Sequence, residues 1–391
     1  MTETPGPMPP AQTVSTGFVV AIVGFFSSFP ILLQGMDAMG ADHDQAASGL
    51  MAAALSMGIA GIFLSLWTKK PVSVAWSTPG AALLAVSATP QFGFEAAVGA
   101  FLIAGFMTVL AGIVRPIGRA IALIPGPLAQ AMLSGVLLSI CVVPFQAAAQ
   151  DPWMALPIIA TWFAISRINR LVAVPATVLM AALMVLFSTG FAVPLPDAPF
   201  TQLVVVRPVF TLDATLGIAL PLFIVTMATQ NIPGLAVMRS YGYAPAPGPL
   251  LSAVGGASMI SGLLGAPATC LAAITAAMCS NEDSHPNPAL RYWSAAMAGL
   301  FYCLLGIFAA IITTFAAAAP PLLLGTLAGI ALLGVFASSA LAAFDDAEYR
   351  EAAAITFLIT ASGVSVFGLS AAVWGLIGGG IVQIVKRRSA G

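Results

Sequence analysis

Fourteen apolar stretches, nearly free of charge, follow one another between residues 16 and 386. They lie near 16–38, 46–67, 72–88, 94–114, 120–143, 153–167 and 171–190, and then near 211–238, 248–264, 266–279, 288–314, 319–343, 350–367 and 370–386. A helix needs about 20 apolar residues to cross the hydrocarbon core of a bilayer. Only helices and closed barrels satisfy their own backbone there. An all-α polytopic membrane protein is therefore expected. Charged residues make up 7% of the 391, too few to cover a water-facing surface. A soluble domain carries roughly 25%. The net charge of -1 leaves no basic patch for nucleic acid, so the expected surroundings are lipid.

Position of the basic residues supports the count. With the N-terminus in the cytoplasm, Lys69, Lys70, Arg115, Arg119, Arg167, Arg170, Arg239, Arg291, Arg350, Lys386, Arg387 and Arg388 fall on cytoplasmic loops or the tail, and Arg207 alone falls outside. Cations are retained on the cytoplasmic face, so this bias reports orientation. Residues 1–14 carry no Lys or Arg and are expected to form a cytoplasmic tail rather than a cleaved leader. The four cysteines sit in apolar stretches without metal-ligand spacing, and no cofactor or metal is implied.

Seven spans per half is odd, so the halves, 15–190 and 211–386, run in opposite directions around an outer connection at 191–210. Short echoes recur in the same order. Ser27-Ser28-Phe29-Pro30 in span 1 matches Gln230-Asn231-Ile232-Pro233 in span 8. Ser77-Thr78-Pro79-Gly80 in span 3 is set against Gly265-Ala266-Pro267-Ala268 in span 10, and Pro127 and Gly135 in span 5 against Pro321 and Gly329 in span 12. Spans 3 and 10 are short and carry a proline behind small polar residues. Proline lacks an N–H and keeps the residue before it extended, so a half-helix is expected to start at Pro79 and another at Pro267. Broken helices at matched places point to a midplane site, and their N-termini suit an anion.

Around these breaks lie the candidate contacts: Gln230 and Asn231 on span 8, Ser77, Thr78 and Pro79 on span 3, Thr269 and Cys270 on span 10, and Ser27, Ser28 and Phe29 on span 1. Hydroxyls and amides in lipid require partners, either a solute or a neighbouring helix. Phe26, Phe29 and Trp76 can offer an apolar wall. Asp37, toward the end of span 1, is the candidate proton carrier, or else an exposed helix end. Gly375, Gly378, Gly379 and Gly380 in span 14 fit close helix packing or a homodimer face. Two isolated histidines provide no metal-dependent chemistry, and no nucleophile stands beside a base, so an enzyme is not expected.

Four stretches carry a family resemblance: Ser27-Ser28-Phe29-Pro30-Ile31-Leu32-Leu33-Gln34-Gly35, Ala75-Trp76-Ser77-Thr78-Pro79-Gly80-Ala81, Thr229-Gln230-Asn231-Ile232-Pro233-Gly234-Leu235 and Leu271-Ala272-Ala273-Ile274-Thr275-Ala276-Ala277. Over residues 15–386 the chain resembles the bacterial benzoate membrane transporters of the BenE type. The resemblance implies import of benzoate, a small anionic aromatic substrate, together with protons across the bacterial inner membrane. It also implies an arrangement similar to uracil permeases and to sulfate and bicarbonate transporters. In these a core domain, here 15–114 plus 211–314, moves against a gate domain, here 115–190 plus 315–386. Nucleobase permeases carry acidic residues where this chain has Gln230 and Ala273, and their absence favours an anionic substrate. Dicarboxylates, sulfate-like anions and nucleobases are the alternatives.

Overall fold

The computed structural model describes residues 8–114, 116, 124–188, 190, 200–366 and 369–389. Arg115, Arg119, the first seven residues of the tail, most of the outer connection and the start of span 5 lie outside the described residues.

All fourteen segments are present in the expected order. Span 1 is α1 (Ala11–Phe26) and α2 (Phe29–Ala38), and span 2 is α3 (His43–Thr68). Span 3 is β1 (Val74–Trp76) followed by α4 (Thr78–Ala85), and span 4 is α5 (Gly93–Ile113). Spans 5 to 7 are α6 (Gly126–Gln150), α7 (Pro152–Ile168) and α8 (Arg170–Ser188). Span 8 is α9 (Leu212–Ser240), and span 9 is α10 (Pro247–Gly262). Span 10 is β2 (Thr269–Leu271) followed by α11 (Ile274–Ser280). The remaining spans are α12 (Tyr292–Ile307) with α13 (Ala309–Ala317), α14 (Pro321–Phe344), α15 (Arg350–Ala361) and α16 (Ala371–Ser389). Seven helices among the described residues are long and apolar enough to cross a bilayer unaided. The others are short or broken, which is tolerable only inside a bundle that satisfies their backbone.

Local chemistry accounts for the interruptions. Asp42 and Gln45 close a reciprocal capping box that starts α3. Span 1 breaks at Ser28, with Pro30 at the second position of the new helix. Span 8 carries wide π-turns at Thr215–Ala219 and Met227–Asn231, each ending two residues before a proline, Pro221 and Pro233. A proline takes an N–H from the ladder and crowds the carbonyl one turn back, and an extra residue in the turn absorbs both. Three expectations need correction. The first helix begins at Ala11, inside the stretch read as tail. Span 11 is broken at Phe308, where Thr201 accepts a hydrogen bond from Ala310 N–H. Span 13 stops at Ala361 rather than near 367, because Gly363 turns the chain with a φ of +67°.

The helices pack in two groups. In one, α3 lies on α12, α5 on α10, and α1 and α2 on α12 and α4. At the α3–α12 crossing a Cβ on Gly58 would meet the Gly299 carbonyl oxygen at 2.5 Å, and the reverse holds equally. Only glycines let the two backbones come this close. In the other group α6 packs on α14 and α15, α15 on α16, and α7 on α8. The groups meet where α4 touches α6, α2 touches α14 and α1 touches α8. Gly375 and Gly379 face Thr360 and Thr356 of α15, so these glycines serve packing within the chain. Since successive segments alternate in direction, Lys69, Lys70, Arg167, Arg170, Arg239, Arg291, Arg350, Lys386 and Arg387 gather at one end and Arg207 lies at the other. At the basic end Arg387 pairs with Glu348 at 2.9 Å and Lys386 with Glu351 at 3.7 Å.

Candidate functional site

Spans 3 and 10 meet through their unwound portions. β1 and β2 run antiparallel, with Val74 opposite Leu271, Ala75 opposite Cys270 and Trp76 opposite Thr269. The ladder continues on both sides, Ser77 N–H donating to Ala268 O at 2.7 Å and Ala272 N–H to Ser73 O at 3.0 Å. The two half-helices leave opposite ends of this ladder in opposite directions, so both N-termini lie at the centre of the bundle.

This register corrects the expected alignment. Under the two-fold relation that maps β1 onto β2, Ser77, Thr78 and Pro79 match Ala272, Ala273 and Ile274. Pro79 opens its half-helix as expected, at the second position of α4. Pro267 does not: it precedes the strand, and the helix of span 10 begins seven residues later at Ile274. Thr269 and Cys270 are consequently strand residues rather than neighbours of a helix start. A proline forces extended backbone before it but leaves open whether a helix or a strand follows.

A belt of polar side chains surrounds the ladder, as unwound backbone at this depth requires. Asn231, wholly buried in the second π-turn of α9, accepts from Leu271 N–H at 2.8 Å. Ser28, its counterpart in span 1, accepts from the Trp76 indole at 2.9 Å. Thr269 shares a 2.8 Å hydrogen bond with Ser56 and its N–H donates to Ser258. Ser73 donates to Thr275 at 2.7 Å. Ser77 caps α4: its hydroxyl oxygen accepts from Gly80 N–H at 3.1 Å and from the Thr226 hydroxyl at 2.7 Å. Of the sequence candidates, Asn231, Ser28, Thr269 and Ser77 thus have protein partners, and Cys270 and Pro79 are buried. Ser56, Thr226 and Ser258 are members that the sequence did not single out.

What remains open is narrower. Thr78 and Gln230 are half-buried, and neither side chain has a hydrogen-bond partner among the described residues. Ser27, half-buried beside them in the repeat, bonds only its own helix, donating to Gly24 O at 3.3 Å. α11 has no side-chain cap, since Ala272 stands where Ser77 stands in the other half. The N–H groups of Ala273, Ile274, Thr275 and Ala276 find no acceptor among the described residues, while Ile274 is 64% exposed. Gln230 belongs to the same corner, because Gly234, one turn on, packs against Leu271 and the Ala272 carbonyl.

An apolar cavity of about 230 Å³ lies between α1–α2, α8, α13 and α14. Phe26 and Phe29 lie edge to face, 6.0 Å apart, and line it with Val178, Ile312, Phe315 and Leu323. Trp76 is not part of that wall: it is buried against Phe25, ring centres 5.3 Å apart. Asp37 occupies the exposed last turn of α2. No group of His, Cys, Asp and Glu able to hold a metal occurs among the described residues.

Comparison with known proteins agrees with this geometry. The family model for benzoate membrane transport protein matches residues 7–385. The inner membrane protein YdcO of Escherichia coli strain K12 is 36% identical over 378 residues, covering 96% of both chains. The benzoate membrane transport protein of Acinetobacter baylyi is 31% identical over 361 residues, 92% of this chain and 91% of that one. Among solved structures, the transmembrane domain of the cyanobacterial bicarbonate transporter BicA superposes with a TM-score of 0.63 at 18% identity, covering 94% of this chain and 97% of that one. SLC26A9 superposes at 0.64 with 11% identity, and this chain, 95% covered, spans 65% of its length. These last two show the fold, a seven-plus-seven inverted repeat. With its broken central spans and whole-length match, the chain is a membrane transporter and belongs to the benzoate membrane transport protein family.

Proposed function

We propose that the chain imports benzoate, or a similar small aromatic carboxylate, across the bacterial inner membrane together with a proton. The observation that carries this reading is the corner where the uncapped start of α11 lies beside the unpartnered Gln230, together with an apolar cavity walled by Phe26 and Phe29 between α1–α2, α8 and α14. Free N–H groups and a helix N-terminus favour an oxyanion. An amide without a protein partner is available to orient it, and a ring-sized apolar space accepts the remainder of the molecule. The first group of helices acts as the core and the second as the gate. The basic end faces the cytoplasm, with both termini, by the positive-inside rule.

The test is uptake of labelled benzoate by the purified protein in proteoliposomes. Uptake should rise when the interior is made alkaline and collapse with a protonophore. Indifference to the gradient removes proton coupling, and no uptake at all removes the substrate. Replacing Gln230 with leucine should raise KM about tenfold or more, the loss of one hydrogen bond to a charged group. Its melting temperature should stay that of the parent, because the amide has no hydrogen-bond partner among the described residues. A Gln230→Leu variant with unchanged KM would take this residue out of the site.

A further inference from the structure

At the end of the molecule opposite the basic one, a second cavity of about 430 Å³ lies in the seam between the two groups of helices. Its walls are the last turn of α4 with the chain to Pro90, the first turns of α9, Val136 of α6, and the α15–α16 connection. Its lining is rich in small and hydroxyl-bearing residues, Ser87, Thr89, Ser365 and Ser370 among them.

The charge of the cavity is one-sided. Asp213, exposed on the first turn of α9, is the single charged residue among the described lining. On α5, which packs against that turn, Glu95 is exposed and has the same sign. Arg207, on the stretch leading into α9, is exposed and does not line the cavity, and α4, α6, α15 and α16 contribute no ionisable group to it. No Asp or Glu among the described residues is buried, so the spans offer no enclosed carboxylate as a proton relay.

We propose that this cavity is the outward mouth of the solute path, and that Asp213 lowers the occupancy of free anions there. This deepens the benzoate reading and rests on it. A unit charge about 7 Å away, at an effective dielectric of about 40, changes the occupancy of an anion roughly five- to tenfold.

The test has two arms. In the first, a cysteine placed at Ala88, an exposed lining residue, is labelled with membrane-impermeant thiol reagents, with the parent protein as blank. The cationic reagent should react roughly five- to tenfold faster than the anionic one. Asp213→Asn should make the rates equal, whereas Asp213→Glu should keep the difference. This arm needs no transport. In the second, KM for benzoate is measured from each face in right-side-out and inside-out vesicles. Asp213→Asn should lower the outer KM at neutral pH roughly five- to tenfold and leave the inner KM unchanged. Labelling rates that ignore Asp213 overturn the vestibule. The expected labelling with an unchanged outer KM, or with both faces shifted equally, overturns the screening of anions. Charge-selective labelling in a protein that moves no benzoate overturns the substrate reading while the selectivity of the mouth stands.

Discussion

Exchange of Asn231 for leucine is expected to abolish uptake and to lower the melting temperature by a few degrees. The side chain is fully buried, and its carbonyl oxygen is the acceptor for Leu271 N–H at 2.8 Å. Leucine fills much the same volume and removes that acceptor. The amide of Leu271 is then left bare at membrane depth, at a cost of about 1–3 kcal/mol. β2 loses its tie to α9 at the residue that leads into Ala272 and the start of α11, so the helix end proposed to meet the solute loses its fixed position. The amide nitrogen, 3.2 Å from Met227 Sδ, makes only a weak contact, so the acceptor carries the effect. Measured beside Gln230→Leu, the pair separates the two neighbours. One change should affect KM alone, and the other should affect both stability and rate. Near-normal uptake by Asn231→Leu would mean that the strand is held by its ladder without help.

Arg291→Leu should be worse still, leaving little folded transporter. This guanidinium is 5% exposed and makes no ion pair among the described residues; it donates to Ser280 O at 2.7 Å, His285 O at 2.6 Å and Pro286 O at 3.3 Å. Ser280 is the last residue of α11, so the cation sits at the negative end of the short helix and satisfies a carbonyl that has no helical partner. Ser294 reinforces the same end by donating to Cys279 O, and Tyr243 donates to Pro288 O in the loop around it. Burial pushes the Tyr243 phenol up from its ordinary range, with Arg291 pulling the other way. Hydrogen bonds to a charged group are worth about 1.5–3 kcal/mol each, so losing the set costs about 3 kcal/mol or more. Arg291→Lys should recover part of the yield, since an ammonium reaches one or two of the carbonyls. Monodisperse protein after detergent extraction is the readout, and a leucine variant as abundant and heat-stable as the parent would contradict the role.

Much of the fold could be read from apolar runs, because a bilayer leaves few other ways to bury them. The break in span 3 was legible too: Ser77 before Pro79 is a cap and a first-turn proline, and α4 starts there. Span 10 misled by seven residues, since Ala272-Ala273-Ile274 has neither cap nor proline, and Pro267 announces a strand instead. The candidate residues were legible as residue types more than by their partners. Asn231, Ser28, Ser77 and Thr269 stood out as polar residues in apolar runs, yet their partners lie on other spans, at separations that sequence cannot specify. Ser56, Thr226 and Ser258 passed unnoticed because a lone hydroxyl in a helix ordinarily bonds its own backbone. Arg291 counted only as a marker of the cytoplasmic side, and its burial shows that it also holds α11.

The ladder of main-chain hydrogen bonds between Ser73–Ser77 and Ala268–Ala272 has a mechanical corollary. It welds the two halves of the chain at their midpoint, so neither half can swing away from the other without tearing backbone bonds in a place water cannot repair. In the proposed cycle a guest lodged there would stay between both halves, and the movement that releases it would run along the faces where α2 meets α14, α4 meets α6 and α1 meets α8.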